Sequence, residues 1–380
     1  MKVTVTKYLN VRVGSPSVNA PCYQYLLPGS QIEVDDQFYK GDSYDGIDNW
    51  LKDDAENYYW SGGLQSSLSN AITSTSLYLD QPFDITACWW LNDFQINKLW
   101  EKGLTGAGVK IAILDTGVSL PHPDLNINAS TNCNDVTNSS TRYEDIQMDG
   151  HGTHCTGIIK ASNNGFGITG VAYDSEVYVC KVSKDINILT GQVNDDISYT
   201  NEGIKWAITQ GVDIISISKG FPGDYLNIEP TIQDAINNHN ILIVCAGGNN
   251  DSGTVYSEIQ YPAFYSECLS VGSLQQGNII SPTTIISNKL KLVAPGINIY
   301  STSLYKGYKV LSGSSQATPF VAGIAAIAIQ YLKSKGKQYT SKGILQLLVD
   351  SADPIDGVQC KIVNPTNIIN SINNGKETYI

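Results

Sequence analysis

The sequence predicts an α/β protein with a mostly parallel central sheet, preceded by a small all-β unit. Three observations carry that expectation. From residue 92 onward, the apolar runs at 109–114, 170–182, 212–218 and 240–247 are largely continuous rather than alternating. Helix-length amphipathic stretches lie between them, at 194–210 and 229–240. Continuous apolar strands joined by helical crossovers belong to parallel sheets covered on both faces. Residues 1–64 instead consist of short alternating runs broken by Gly, Pro, Ser and Asp, the pattern of antiparallel strands and tight turns.

The expected organisation is a β unit over 1–64, a linker over 65–91, the α/β unit over 92–372 and a tail over 373–380. The linker opens on a Ser/Thr-rich stretch and turns apolar after residue 76. Across the 380 residues, 42 % are apolar and 16 % charged, enough for a sizeable core. The longest apolar run, 320–329, is ten residues, well short of the roughly 20 that cross a bilayer, so no membrane is expected as a partner. Lys and Arg number 24 against 36 Asp and Glu, a net charge of −12. Such a surface repels a phosphate backbone, and nucleic acid is excluded as a partner.

Eight cysteines contain no C-x-x-C pair and no zinc-type spacing. Cys180 and Cys245 end strand-like runs and Cys155 follows a His in a Gly-flanked segment, so these three read as buried and reduced. Whether the other five pair stays open. The first fourteen residues alternate and carry no apolar leader. Missing leader and core thiols lean toward the cytoplasm; a trimmed N-terminus would instead fit a secreted or cell-surface protein.

Four segments carry the chemistry. They are Asp115-Thr116-Gly117, Asp149-Gly150-His151-Gly152-Thr153-His154, Ala246-Gly247-Gly248-Asn249 and Gly313-Ser314-Ser315-Gln316-Ala317-Thr318-Pro319. Taken singly, each has a bland reading as a turn or a helix cap. Together they supply what nucleophilic acyl transfer needs. A serine hydroxyl needs a base, which an imidazole provides near neutral pH. The imidazole needs a carboxylate on its other nitrogen to fix the tautomer. The tetrahedral oxyanion needs donors, which Asn249 and the start of the apolar helix after Ser315 can offer.

These residues resemble the subtilase family of serine proteases over residues 92 to about 372, with the same chain order of Asp, His and Ser. Supporting matches are His122-Pro123-Asp124-Leu125, Gly170-Val171-Ala172, Tyr261-Pro262-Ala263 and Ala294-Pro295-Gly296. The resemblance implies a subtilisin-like three-layer fold and a serine endopeptidase with Asp115, His151 and Ser315 as the triad. It makes Asn249 the oxyanion donor and His154 structural, and it requires no cofactor for the chemistry. It also implies that peptide or protein substrates lie between Ser218, Lys219 and Gly220 on one side and Ala246, Gly247 and Gly248 on the other. Gln260 then falls near the floor of the primary specificity pocket. The loop 162–168, with Asp124 and Asn164, resembles the family's calcium loop and implies a structural Ca²⁺. Gln316 and Phe320 depart from the family's common Met and His.

The first unit resembles a bacterial SH3-like (SH3b) domain in its order of short motifs, from Tyr8-Leu9-Asn10 to Trp60-Ser61-Gly62-Gly63. Such a module implies a cell-wall or other peptide ligand and, with the family, leans toward export. Trp50, Tyr58, Tyr59 and Trp60 could form its core or a groove. Residues 76–92 are read as a short inhibitory or folding segment ahead of the protease. Two other functions stay open, a peptide ligase or macrocyclase on the same scaffold and a catalytically silent binding protein.

Overall fold

The computed structural model describes residues 2–6, 9–18, 20, 22–26, 30–35, 37–44, 47–66, 88–133, 143–145, 150–183, 197–250 and 255–374. They fall into two compact units, one before and one after the undescribed stretch 67–87.

The first unit holds β1 (Lys2–Val5), β2 (Leu9–Val13), β3 (Cys22–Leu26), β4 (Gln31–Glu33), β5 (Tyr39–Tyr44), β6 (Ile47–Lys52), β7 (Asn57–Trp60) and β8 (Leu64–Ser66). Two antiparallel sheets result, in the orders β4-β1-β8 and β3-β2-β7-β6-β5. Alternation turns Val3, Val5, Leu9 and Val11 inward, where they meet Trp50, Tyr58, Tyr59 and Trp60. Those four aromatics are therefore core. Each indole also finds an acceptor, Trp50 Nε1 donating to the Asp42 carbonyl and Trp60 Nε1 to that of Ile47. Pairing of β8 with β1 carries this unit to Ser66, past the boundary expected at 64.

The second unit is built on one sheet. Its strands are β9 (Lys110–Asp115), β10 (Ala129–Asn132), β11 (Glu176–Lys181), β12 (Ile214–Ile217), β13 (Leu242–Ala246), β14 (Leu269–Gln275), β15 (Ile279–Ile280), β16 (Leu292–Pro295) and β19 (Lys361–Ile362). The order is β10-β11-β9-β12-β13-β14-β16-β19, parallel throughout, with β15 antiparallel on β14. A separate hairpin joins β17 (Ile299–Thr302) to β18 (Tyr308–Leu311). The helices are α1 (Trp89–Asn92), α2 (Ile96–Trp100), α3 (His151–Lys160), α4 (Ile197–Gln210), α5 (Glu229–Asn237), α6 (Ser314–Ser334), α7 (Ser341–Asp350) and α8 (Pro365–Asn373). Helices α3 and α6 pack on each other and on the sheet, while α4 and α5 pack on each other and on β9, β11 and β13.

Register positions the site. Ile217 lies opposite Leu114 on one side and Cys245 on the other. The next residue of each strand, Asp115, Ser218 and Ala246, therefore reaches the same carboxyl-end rim, where ligands bind in sheets of this kind.

One expected boundary moves. Residues 88–91 were assigned to the linker, yet Trp90 and Leu91 are 1 % and 0 % exposed in the large core. Trp90 and Phe94 meet the ring of Phe320 edge-on, at centroid distances of 6.1 and 5.3 Å. These apolar residues are anchored beneath α6, so this part of the segment 76–92 is core. The remainder, 76–87, lies outside the described residues.

Candidate active site

Asp115 ends β9 and is fully buried. His151 Nδ1 donates to its Oδ1 at 2.7 Å, and the Thr116 amide donates to the same oxygen at 2.7 Å. Burial alone would raise the Asp115 carboxyl; the facing imidazole and the positive charge of Lys219 outweigh it and hold the group below its ordinary range. Burial likewise pulls His151 down, but the Asp115 carboxylate raises it well above its ordinary value. The imidazole remains 19 % exposed, so its second nitrogen is within reach of solvent or substrate.

His151 begins α3, and that helix can approach the β9 rim only because its second residue is glycine. A Cβ on Gly152 would stand 2.2 Å from the Gly117 carbonyl oxygen. Three residues on, His154 is buried and its Nε2 faces the carbonyls of Ile299 and Lys309 at 2.9 and 3.1 Å. Burial lowers its pKa to about 3, so it stays neutral and ties α3 to the β17–β18 hairpin.

Ser315 lies in the first turn of α6. Pro319, inside that helix, has no N–H to give the carbonyl four residues back, which is that of Ser315. The orphaned oxygen accepts the Ser218 hydroxyl at 2.9 Å and the Cys155 thiol at 3.3 Å. The same Cys155 sulfur lies 3.9 Å from His151 Nδ1. The backbone of the nucleophile candidate is thus held beside the imidazole. Its hydroxyl donates to the Ser218 carbonyl at 3.0 Å. Asn249 follows β13, and its Oδ1 accepts the Ser314 amide at 2.9 Å, which turns Nδ2 away from that contact.

A cavity of about 210 Å³ opens beside Ser315. Gly220, Ala246, Gly248, Asn249 and Gln260 line it, as do Ser314, from the serine segment, and Tyr256, which the sequence had not singled out. Two glycines leave room for the Gln260 side chain: a Cβ at Gly220 or Gly248 would stand 2.2 or 2.6 Å from its Oε1. Lys219 and Gly247 flank this wall in the chain without lining the cavity.

A further residue escaped the sequence analysis. Asp145 is buried, and its Oδ1 accepts the Thr116 hydroxyl at 3.0 Å while Oδ2 accepts the Thr153 amide at 2.9 Å and hydroxyl at 2.8 Å. Thr116 Oγ1 in turn accepts the Gly152 amide, and Thr153 Oγ1 the Ser119 amide. One carboxylate therefore ties the turn after Asp115 to the helix start at His151. Burial, with the nearby Asp115 charge, raises its pKa to about 6. No motif announces it; the signal is an acidic residue six positions before His151.

The profile described as "Subtilase family" matches residues 106–375. The chain belongs to the subtilase family. It is 36 % identical over 263 residues to the "Major intracellular serine protease" of Bacillus subtilis (strain 168), covering 68 % of this chain and 80 % of that protein. It is 36 % identical over 244 residues to "Subtilisin Savinase" of Lederbergia lenta, covering 64 % and 84 %. It is 35 % identical over 266 residues to the "M-protease" of Shouchella clausii (strain KSM-K16), covering 68 % of this chain and 65 % of that one. The subtilase chain thus spans less than two-thirds of the M-protease.

The expected calcium ligands do not fit a cation. Asp124 Oδ1 accepts the Asn164 amide N–H at 2.8 Å, and Oδ2 accepts the Tyr308 hydroxyl at 2.6 Å and the Ile168 amide at 3.1 Å. Asn164 Oδ1 is itself taken by the Phe166 amide at 3.2 Å. Ca²⁺ needs six to eight oxygens turned toward it. In this subtilase, donors surround the buried carboxylate instead, and Tyr308 supplies the strongest of them.

Two outcomes follow. Tyr308→Phe leaves the buried Asp124 short of a donor and should lower stability by about 1–3 kcal/mol; calorimetry should find that added calcium does not offset the loss. Asp145→Asn should also destabilise by about 1–3 kcal/mol, because an amide nitrogen would face the Thr donors. Since the folded pKa of Asp145, about 6, lies above the ordinary aspartate value of 3.8, its contribution is greatest at low pH and fades as pH rises through 6. Urea unfolding should therefore show a larger cost for Asp145→Asn at pH 5 than at pH 7.5.

Proposed function

We propose that the chain is a serine endopeptidase in which Asp115, His151 and Ser315 form the triad. The observation that carries this reading is the buried Asp115–His151 pair at 2.7 Å, held beside the helix start that bears Ser315. A peptide or protein substrate lies with its carbonyl carbon over Ser315. Turning about χ1 brings the hydroxyl from the Ser218 carbonyl to His151, whose Nε2 takes the proton as Oγ attacks. Asp115 keeps the other proton on Nδ1 and stabilises the imidazolium. The oxyanion receives Asn249 Nδ2 and the Ser315 amide, which sits in the first helical turn where no intrahelical acceptor exists. His151 then protonates the leaving amine, and water repeats the sequence on the acyl-enzyme.

The pocket beside Ser315 supports a preference for small or polar P1 side chains, because Gln260 occupies its floor. The small β unit is read as the SH3b-like module, with a cell-wall or other peptide ligand. Its half-exposed Tyr44, edge-on to Trp60 with centroids 5.0 Å apart, supports an aromatic contact surface there.

A fluorophosphonate should label Ser315, and Ser315→Ala should lose about 10⁶ in turnover and Asn249→Ala about 10²–10³. Those magnitudes are subtilisin's own rather than derived from this geometry. Persisting turnover in Ser315→Ala would mean a misassigned nucleophile, no turnover by the unaltered chain would mean a silent scaffold, and amide products formed with an added amine would mark a ligase. Because His151 is raised well above 6.5, kcat/KM should climb only as pH passes that raised value. The stability that its protonated form contributes is complete below 6.5 and is lost over the same rise.

Gln260→Gly should open the pocket floor. Relative kcat/KM for peptides with Phe at P1, over those with Ala, should increase roughly tenfold or more.

A further inference from the structure

Cys133 directly follows β10, at the edge of the large sheet, and Cys180 lies in the neighbouring β11. Parallel pairing sets Thr131 opposite Cys180, and the ladder continues as the Cys133 amide donates to the Lys181 carbonyl at 2.9 Å. The two sulfurs approach to 2.7 Å. Nonbonded carbons rest roughly 3.5–4.0 Å apart, and sulfur is larger. A disulfide closes at about 2.05 Å. The pair is thus already inside the separation at which two unbonded thiols pack, and forming the bond requires less than 1 Å of further movement.

From these contacts we propose that Cys133 and Cys180 are an oxidative modification site that closes to a disulfide when a small-molecule disulfide such as oxidised glutathione is present. Cys133 is half-buried and Cys180 fully buried, which sets the order of events. The Cys133 thiolate attacks one sulfur of oxidised glutathione, and the reagent's S–S bond breaks to release one glutathione thiolate. Cys180, having lost its proton, attacks the Cys133 sulfur of the mixed disulfide and expels the second glutathione thiolate. Two electrons pass from the protein thiols to the reagent, and the two thiol protons end on the two released glutathiones. Burial raises the Cys180 thiol well above its ordinary value, so the second step quickens with rising pH.

The cross-link encloses residues 133–180, a loop containing His151 and all of α3. It restrains the unfolded state of the segment that carries the imidazole, without touching the site. Elsewhere, buried Cys155 faces His151 and the Ser315 carbonyl rather than another thiol, and Cys245 is buried beside Cys268. The sequence had placed Cys180 among the reduced core cysteines and left Cys133 open; the structure sets one against the other.

The test uses the full chain carrying Ser315→Ala to prevent self-digestion. It is incubated with oxidised glutathione at pH 8, alkylated after unfolding, digested and analysed without reduction. The expected result is a peptide joining Cys133 to Cys180, with Cys155 alkylated. Oxidation should raise the melting temperature by roughly 5–10 °C over the dithiothreitol-reduced protein. Cys133→Ser should abolish that shift while melting like the reduced parent. Recovery of both cysteines alkylated, or a shift that survives in Cys133→Ser, would overturn the proposal.

Discussion

A carboxylate sealed at the end of a central strand has no water to stabilise it, so its surroundings must supply the compensation. At Asp115 that compensation is the His151 ring and the Thr116 amide, both on one oxygen. Much of the local architecture follows from this demand. The helix bearing His151 must start against the β9 rim, hence a glycine as its second residue. The turn after Asp115 must hold its amide in place, which the Thr116 side chain does by bonding both Gly152 and Asp145. A second buried acid then lies near the first, and the two are driven apart. Asp115 is held ionised by the imidazole, while Asp145, given only neutral donors, rises to about 6. Environment rather than residue type separates the acid paired with a base from the acid that secures it.

How much of this the sequence carried depends on the kind of constraint involved. Strands of a parallel sheet must be apolar on both faces, so β9, β11, β12 and β13 were legible as runs, and the residues ending them marked the rim. The proposed acid, imidazole and serine were legible because acyl transfer would restrict those positions to few residue types. The Asp145 bridge was not, because a loop carboxylate that accepts hydrogen bonds from Thr side chains has neither a period nor a required spacing. The Tyr308–Asp124 bond spans 184 positions, and Asp124 beside an Asn-Gly loop suggested a metal where a phenol hydroxyl stands. Residues 88–91 were read as linker because four helical residues give no periodicity; the Phe320 ring across the core explains the bulk of Trp90.

Phe320 and Pro319 belong to one device at the start of α6. Proline within a helix forgoes a backbone bond and crowds the carbonyl four residues earlier, which for an ordinary helix is a loss of about 3 kcal/mol. Here the carbonyl concerned is that of Ser315, and it is not left unpaired. The Ser218 hydroxyl reaches it from the end of β12, and the Cys155 thiol from the middle of α3. One helix bond is exchanged for two bonds between elements, both at the residue proposed as the nucleophile. Phe320, meanwhile, seats the same turn against Trp90 and Phe94. Sheet rim, imidazole helix and serine helix are therefore joined at one backbone oxygen. The break in the helix ladder secures the position of Ser315 rather than weakening it.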